Sequence, residues 1–196
     1  MSRRSNIERT TGETSIALVL NLDGAEEGTR ETGIGFFDHM LDLLARHSGL
    51  GLTVKATGDL ETGAHHTVED VGICFGRALD EALGDRSGIN RYGYSVIPMD
   101  EARAAATIDL SGRPFAAVDV ALPDGVTGGF DHDLLEEFMR AVAANGRLTL
   151  HIEEQRAGGA HHLIEASFKA FARALRVAVA IDPLGSGVPS TKGTLS

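Results

Sequence analysis

Six of the eight histidines fall into two copies of one pattern. Phe37-Asp38-His39 is followed by a helical stretch, an apolar strand and then Ala64-His65-His66-Thr67-Val68-Glu69. Phe130-Asp131-His132 is followed by the same kinds of segment and then Ala160-His161-His162-Leu163-Ile164-Glu165. The copies are offset by 93 residues at Phe-Asp-His and by 96 at Ala-His-His, so a short insertion separates two duplicated halves. At a helix start, residues three and four apart share a face. Glu69 therefore lies close to His65 and His66, and Glu165 to His161 and His162. Imidazole nitrogen with carboxylate oxygen suits a borderline divalent ion such as Mn²⁺, Fe²⁺, Co²⁺ or Zn²⁺. A single His pair would read as polar surface. Two motifs with His39 and His132 supply eight ligands, enough for two four-ligand sites with positions left open for a substrate. Adjacent helical histidines diverge by about 100°, so the members of each pair serve different ions. The partition that respects the duplication sets His39, His66, Glu69 and a His161 from elsewhere on one ion, and His132, His162, Glu165 and His65 on the other. His47 and His151 lie outside the repeat and read as surface or structural residues.

The elements that must position these ligands repeat too. Ile16 to Leu22 and Leu50 to Ala56 read as strands, and Phe37, Met40, Leu41 and Leu44 recur at helical spacing. Val68, Val71, Phe75, Leu79 and Ala82 form the stripe of a long helix that Gly84 and Asp85 end. In the second half, Ala104–Leu110, Phe115–Leu122 and Arg147–Glu153 read as strands. Leu134, Leu135, Phe138 and Val142 mark one helix, and Ala160–Ala180 a long partner. The expected fold is α+β, with strand-helix-strand-helix in duplicate, residues 1–92 and 93–182, around a shared core. Residues 183–196 are mostly Gly, Pro, Ser and Thr and suit neither period.

Composition narrows the function. A length of 196 residues with 42% hydrophobic and 23% charged residues describes a globular chain. A net charge of −10 disfavours nucleic-acid binding, which rests on phosphate neutralisation. No run approaches the roughly 20 apolar residues that span a bilayer, and the basic start has no apolar stretch behind it, so a cytoplasmic location is expected, with no membrane partner. The single cysteine, Cys74 in Ile73-Cys74-Phe75, reads as core.

Further motifs carry a resemblance. They are Arg9-Thr-Thr-Gly-Glu-Thr14, Gly35-Phe-Phe-Asp-His-Met-Leu41, His65-His-Thr-Val-Glu-Asp70, Arg91-Tyr-Gly93, Pro98-Met-Asp-Glu-Ala102, Ser111-Gly-Arg-Pro-Phe115, His161-His-Leu-Ile-Glu-Ala166 and Pro189-Ser-Thr-Lys-Gly193. Over nearly its whole length the sequence resembles imidazoleglycerol-phosphate dehydratase, a family of histidine-biosynthesis enzymes. Ala64 departs from the Asp or Asn often found before the first His pair. The resemblance implies helices packed between two mixed sheets, an assembly of 24 subunits, and two Mn²⁺ ions per active site at subunit contacts. It also implies that Arg91, Arg113, Ser190 and Lys192 bind the substrate phosphate, which makes residues 183–196 a flexible substrate clamp.

The implied reaction removes water from imidazole glycerol phosphate to give imidazole acetol phosphate. Divalent ions stabilise the ring as imidazolate, which expels the adjacent hydroxyl as a diazafulvene-like intermediate. A carboxylate takes the neighbouring proton. Glu13, in the matching Thr-Gly-Glu-Thr, is the first candidate acid/base and contacts substrate; Glu69 and Glu165 are further proton shuttles. Two rivals share the ligand set. A dimetal hydrolase would attack an ester or amide, and a metal-storage assembly would have no use for the anion-binding cations. Nucleotide phosphotransfer is disfavoured because Gly185–Lys192 lacks the Gly-x-x-x-x-Gly-Lys-Ser/Thr order.

Overall fold

Alternating apolar residues pair across the first sheet: Ile16 faces Ala56, Leu18 faces Val54 and Leu20 faces Leu52, all buried. The second sheet repeats the device with Ala106 opposite Ile152 and Ile108 opposite Leu150. The computed structural model describes residues 3–24, 28–185 and 187–195. Its elements are β1 (Arg4–Thr10), β2 (Thr14–Asn21), β3 (Arg30–Glu31), α1 (Gly35–Ser48), β4 (Gly51–Gly58) and α2 (His65–Leu83), then β5 (Tyr92–Met99), β6 (Ala102–Asp109), β7 (Phe115–Asp119), the ribbon strands β8 (Val126–Thr127) and β9 (Phe130–Asp131), α3 (Leu134–Gly146), β10 (Thr149–Arg156) and α4 (Ala160–Val179). The sheets run β1-β2-β4-β3 and β5-β6-β10-β7. In each, the two central strands are antiparallel and the last pair is parallel. The duplication is thus one of topology, and the α+β class with helices between two mixed sheets holds.

Each half is longer than strand-helix-strand-helix, because it opens with a hairpin that apolar alternation did not reveal. In β1 only Ile7 is a buried hydrophobic residue. In β5 the inward position is Gly93, where a Cβ would stand 1.9 Å from the Ala174 carbonyl oxygen. Glycine there lets β5 lie directly on α4, and the other apolar residues on that face, Ile97 and Met99, are only partly buried, so no apolar alternation betrays the strand. The expected strand over Phe115–Leu122 stops at Asp119, ahead of the β8–β9 ribbon.

The helices form the layer between the sheets. α2 packs on β1 and β2, and α4 on β5 and β6, while α1 lies against α4 and α3 against α2. Close approach of α2 and α3 depends on Gly76, whose Cβ would meet backbone atoms of Gly146 and Val142 within 3 Å. A chain of rings ties the halves together: Phe37 with Phe130, Phe37 with Phe138, and Phe138 with Phe168, at centroid separations of 5.8, 5.5 and 5.2 Å. Cys74 is buried in this layer, and burial pushes its thiol up to about 11.

The Phe-Asp-His tripeptides, alike in sequence, differ in local structure. α1 begins at Gly35 and includes Phe37-Asp38-His39, whereas Phe130-Asp131 lies in β9 and His132 precedes α3.

Candidate metal and substrate site

α4 presents the more closely knit ligand group. One helical turn sets His161 over Glu165, with His161 Nε2 to Glu165 Oε1 at 2.9 Å. Packing of α1 on α4 brings His39 Nε2 to 3.5 Å from the same oxygen. The other carboxylate oxygen accepts from Lys169 Nζ at 2.6 Å. Burial of Glu165, only 7% exposed, works to raise its pKa, yet the Lys169 ammonium and the His161 hydrogen bond together hold it below the usual carboxylate range. Two donors each ~2.1 Å from one ion stand about 3.0 Å apart at right angles and about 3.4 Å at tetrahedral angles. Each separation from Glu165, 2.9 and 3.5 Å, is that of a donor pair on one ion, but the three ligand atoms do not all lie within 4.8 Å of one another, so a shared ion requires the two imidazoles to move closer together.

This grouping cuts across the expected partition, which placed Glu165 apart from His39 and His161. The reason is local: the i,i+4 relation ties Glu165 to His161 rather than His162. The rings of His161 and His162 stand at 86° to each other, with centroids 5.7 Å apart. His162 turns instead to the β5–β6 turn, its Nδ1 2.9 Å from Glu101 Oε2. That carboxylate also accepts the Gly159 N–H at 2.8 Å, at an α4 start that has no side-chain cap of its own. The Gly159 bond and then His162 draw the Glu101 carboxyl down to about 2, and Glu101 in turn raises His162.

α2 carries the looser group. His65 Nε2 lies 3.8 Å from Glu69 Oε2, and Glu69 is 43% exposed. His66 places Nδ1 3.0 Å from Asp59 Oδ2 and Nε2 3.9 Å from Glu13 Oε1. The Asp59 hydrogen bond raises the His66 pKa and lowers that of Asp59. Glu13 reaches this point because buried Asp70, next to Glu69, accepts hydrogen bonds from Arg9 and Thr14, pinning the first hairpin to α2. His132 stands apart. Its Nδ1 donates to the Pro123 carbonyl at 2.8 Å, and its Nε2 is 3.0 Å from the Thr127 hydroxyl, in a cavity of about 360 Å³.

The residues expected to bind an anion gather elsewhere. Arg91, Arg113, Ser190 and Lys192 line an open pocket of about 740 Å³ with Tyr92, Thr191 and Thr194. Arg91 acts mainly as its post: Nε and Nη2 donate to Asp109 at 2.7 and 3.2 Å, and Nη1 donates to the Pro189 carbonyl at 2.8 Å. Arg113 is exposed, 3.7 Å from Asp109, and Lys192 is exposed as well. Ser186 and Ser196 of the C-terminal segment lie outside the described residues.

Residues 32–175 match the family model described as imidazoleglycerol-phosphate dehydratase. The chain is 55% identical over 196 residues to the imidazoleglycerol-phosphate dehydratase of Acidiphilium cryptum and 52% to that of Moorella thermoacetica, with all of both chains covered in each case. The chain belongs to the imidazoleglycerol-phosphate dehydratase family. Its fold is similar to the crystal structures of the dehydratases from Staphylococcus aureus (TM-score 0.83, 42% identity, 91% of this chain and 99% of that one) and Pyrococcus furiosus (0.84, 39%, 96% and 100%).

Against this family frame, several residues at the site escaped the sequence reading. Lys169 had a signal, since Glu at i and Lys at i+4 is a recognised helical pair. Glu101 had one too, lying in the Pro98–Ala102 motif that carries the resemblance, whereas Asp59 and Asp109 had none, because each reaches its partner through tertiary contact.

Proposed function

We propose that this chain dehydrates imidazole glycerol phosphate to imidazole acetol phosphate in histidine biosynthesis, as a cytoplasmic homo-oligomer using two Mn²⁺ ions per active site. The observation that carries the reading is the gathering of His39 and His161 about one carboxylate oxygen of Glu165, together with a cation-lined pocket suited to a phosphate. His39, His65, His66, Glu69, His132, His161, His162 and Glu165 would hold the ions. Bound there, they would stabilise the substrate imidazole as an anion and favour loss of the neighbouring hydroxyl.

The chain's own residues supply the rest. Arg113, Lys192 and Ser190 bind the phosphate, and Arg91 holds the Pro189–Lys192 segment in place for them. Glu13, exposed beside His66, takes or returns the carbon-bound proton. Glu69 and Glu165 serve as further proton shuttles. No described helix is long and apolar enough to cross a membrane.

Distance argues for more than one subunit per site. The Arg91 N–H bonds the Ala178 carbonyl at the C-terminal end of α4, whereas His162 is at the other end. At 1.5 Å per residue that places them about 24 Å apart. Ring and phosphate of the substrate are joined by only three carbons, so the site around α4 needs its phosphate cations from another copy of the chain.

The test is to strip the protein with a chelator, reload it with Mn²⁺ and supply imidazole glycerol phosphate. Formation of the acetol phosphate without release of inorganic phosphate, at about two ions per chain by elemental analysis, is the expected result. Hydrolysis, or equal turnover by the stripped protein, would overturn it.

A further inference from the structure

The two histidines that end the His-His pairs are each gripped at the same ring nitrogen by a carboxylate. His66 Nδ1 stands 3.0 Å from Asp59 Oδ2, and His162 Nδ1 stands 2.9 Å from Glu101 Oε2. A carboxylate only accepts, so Nδ1 carries a proton in both rings, and in the neutral ring Nε2 keeps its lone pair. The His66 Nε2 atom is 3.9 Å from Glu13 Oε1, beyond hydrogen-bond length.

We propose that Asp59 and Glu101 are positioning residues that fix His66 and His162 in the Nδ1-protonated tautomer, so that each presents Nε2 to a divalent ion. The proposal rests on the metal-ligand reading above and goes beyond it by assigning the ring nitrogen and the residues that select it. An ion-bound imidazole whose remaining N–H is held by a carboxylate is better oriented and more basic, and removing such a partner costs 10- to 100-fold in metal affinity.

The repeat gives an independent reason to treat the two carboxylates as one device. They do not occupy equivalent positions. Asp59 directly follows β4, where its counterpart after β10 is Ala157. Glu101 directly precedes β6, where its counterpart before β2 is Glu13. The second half lacks a carboxylate after its long strand, and it meets the same histidine nitrogen from the hairpin turn instead. Each carboxylate also has a structural contact. Asp59 accepts the Thr62 hydroxyl at 2.9 Å, and Glu101 accepts the Gly159 N–H. Asp100, Glu101 and His162 also bring ligand atoms within 4.8 Å of one another, so direct ligation by Glu101 is the competing arrangement.

The full-length protein, stripped of metal, is titrated with Mn²⁺ alone. Asp59→Ala and Glu101→Ala should each weaken binding at one class of site by about 10- to 100-fold, with two ions still bound at saturation. Asp59→Asn and Glu101→Gln, which keep an acceptor oxygen, should recover most of the loss. Two controls remove the structural explanation. Thr62→Ala loses only the loop bond and should bind Mn²⁺ like the parent. Glu101→Ala with Gly159→Ser gives α4 a helix cap of its own; it should regain thermal stability while binding stays weak. Recovery of affinity with the cap, affinities within twofold in the alanine variants, or loss of one ion from the stoichiometry of Glu101→Gln would each overturn the proposal. A parent protein that binds no Mn²⁺ would overturn the metal reading itself, a result distinct from unchanged affinity in the variants.

Discussion

The two His-His-x-x-Glu motifs open equivalent helices, yet their glutamates live in different environments. Glu165 is buried and shares its oxygens among Lys169, His161 and His39, whereas Glu69 is nearly half exposed beside His65 alone. The residue that makes the difference is four positions on: Lys169 in α4, Ile73 in α2. Duplication therefore supplied matching candidate ligands, and later residues supplied unequal surroundings. The carboxylates that precede the second strand of each half have diverged in the same way. Glu101 is committed to His162 and Gly159, while Glu13 is free to act on a substrate because Asp59 already holds the Nδ1 of His66.

The largest expected effect tests that last contrast. Glu13→Gln should keep the Mn²⁺ content and KM nearly intact while lowering kcat by about 10²- to 10⁴-fold, the range for a lost general acid or base. Glu101→Gln, at the equivalent position, should lose at least tenfold less kcat at saturating Mn²⁺. Steady-state kinetics on both variants decides the matter. Equal losses would erase the distinction between a free and a committed carboxylate, and full kcat in Glu13→Gln would shift the proton transfer to Glu69 or Glu165.

The contrast between the two motif glutamates has a stability signature. Lys169→Met leaves Glu165 buried without its ammonium partner and should lower the unfolding free energy of the metal-free protein by about 3 kcal/mol, as expected for breaking a buried pair. Glu69→Gln, at the open copy, should change it by less than ~0.5 kcal/mol. Denaturant titrations of the stripped proteins compare the two. Similar losses at both positions would show that the surroundings of Glu69 and Glu165 are energetically alike.

Much of this was legible in the sequence because it is local. The periodicity of Val68, Val71, Phe75 and Leu79 fixes α2, and the repeat of His-His-x-x-Glu fixes which residues are candidate ligands. The strands without apolar alternation were not legible: β5 turns Gly93 inward, and its side chains Tyr92 and Tyr94 are exposed. The partition of ligands was not legible either. The pairing of Glu165 with His161 is local, but the approach of His39 to Glu165 depends on α1 lying against α4, a consequence of packing. The Nδ1 partners Asp59 and Glu101 belong to loops whose distance from the helix starts is set only by the closed fold.

The smallest effect concerns the anion pocket, where the halves also differ. Each half has an arginine just before its first strand, paired with an aspartate: Arg3 with Asp23, and Arg91 with Asp109. Arg3 ends at the α4 carbonyl of Val179, but Arg91 holds Pro189 and has Arg113 on the far side of its aspartate. Because Asp109 offsets the charge of Arg91, the exposed Arg113 and Lys192 would carry the attraction for the phosphate of the proposed substrate. That group has the same charge before, during and after dehydration, so the contact is uniform and appears chiefly in KM. Arg113→Ala and Lys192→Ala should each raise KM by about tenfold, the size of one charge-assisted hydrogen bond of about 1.4 kcal/mol, with kcat changed severalfold at most. Arg3→Ala should leave KM unchanged, since Arg3 is engaged by Asp23 and the Val179 carbonyl. A kcat loss in Lys192→Ala larger than the KM rise would mean that the C-terminal segment aligns the imidazole ring as well as holding the phosphate.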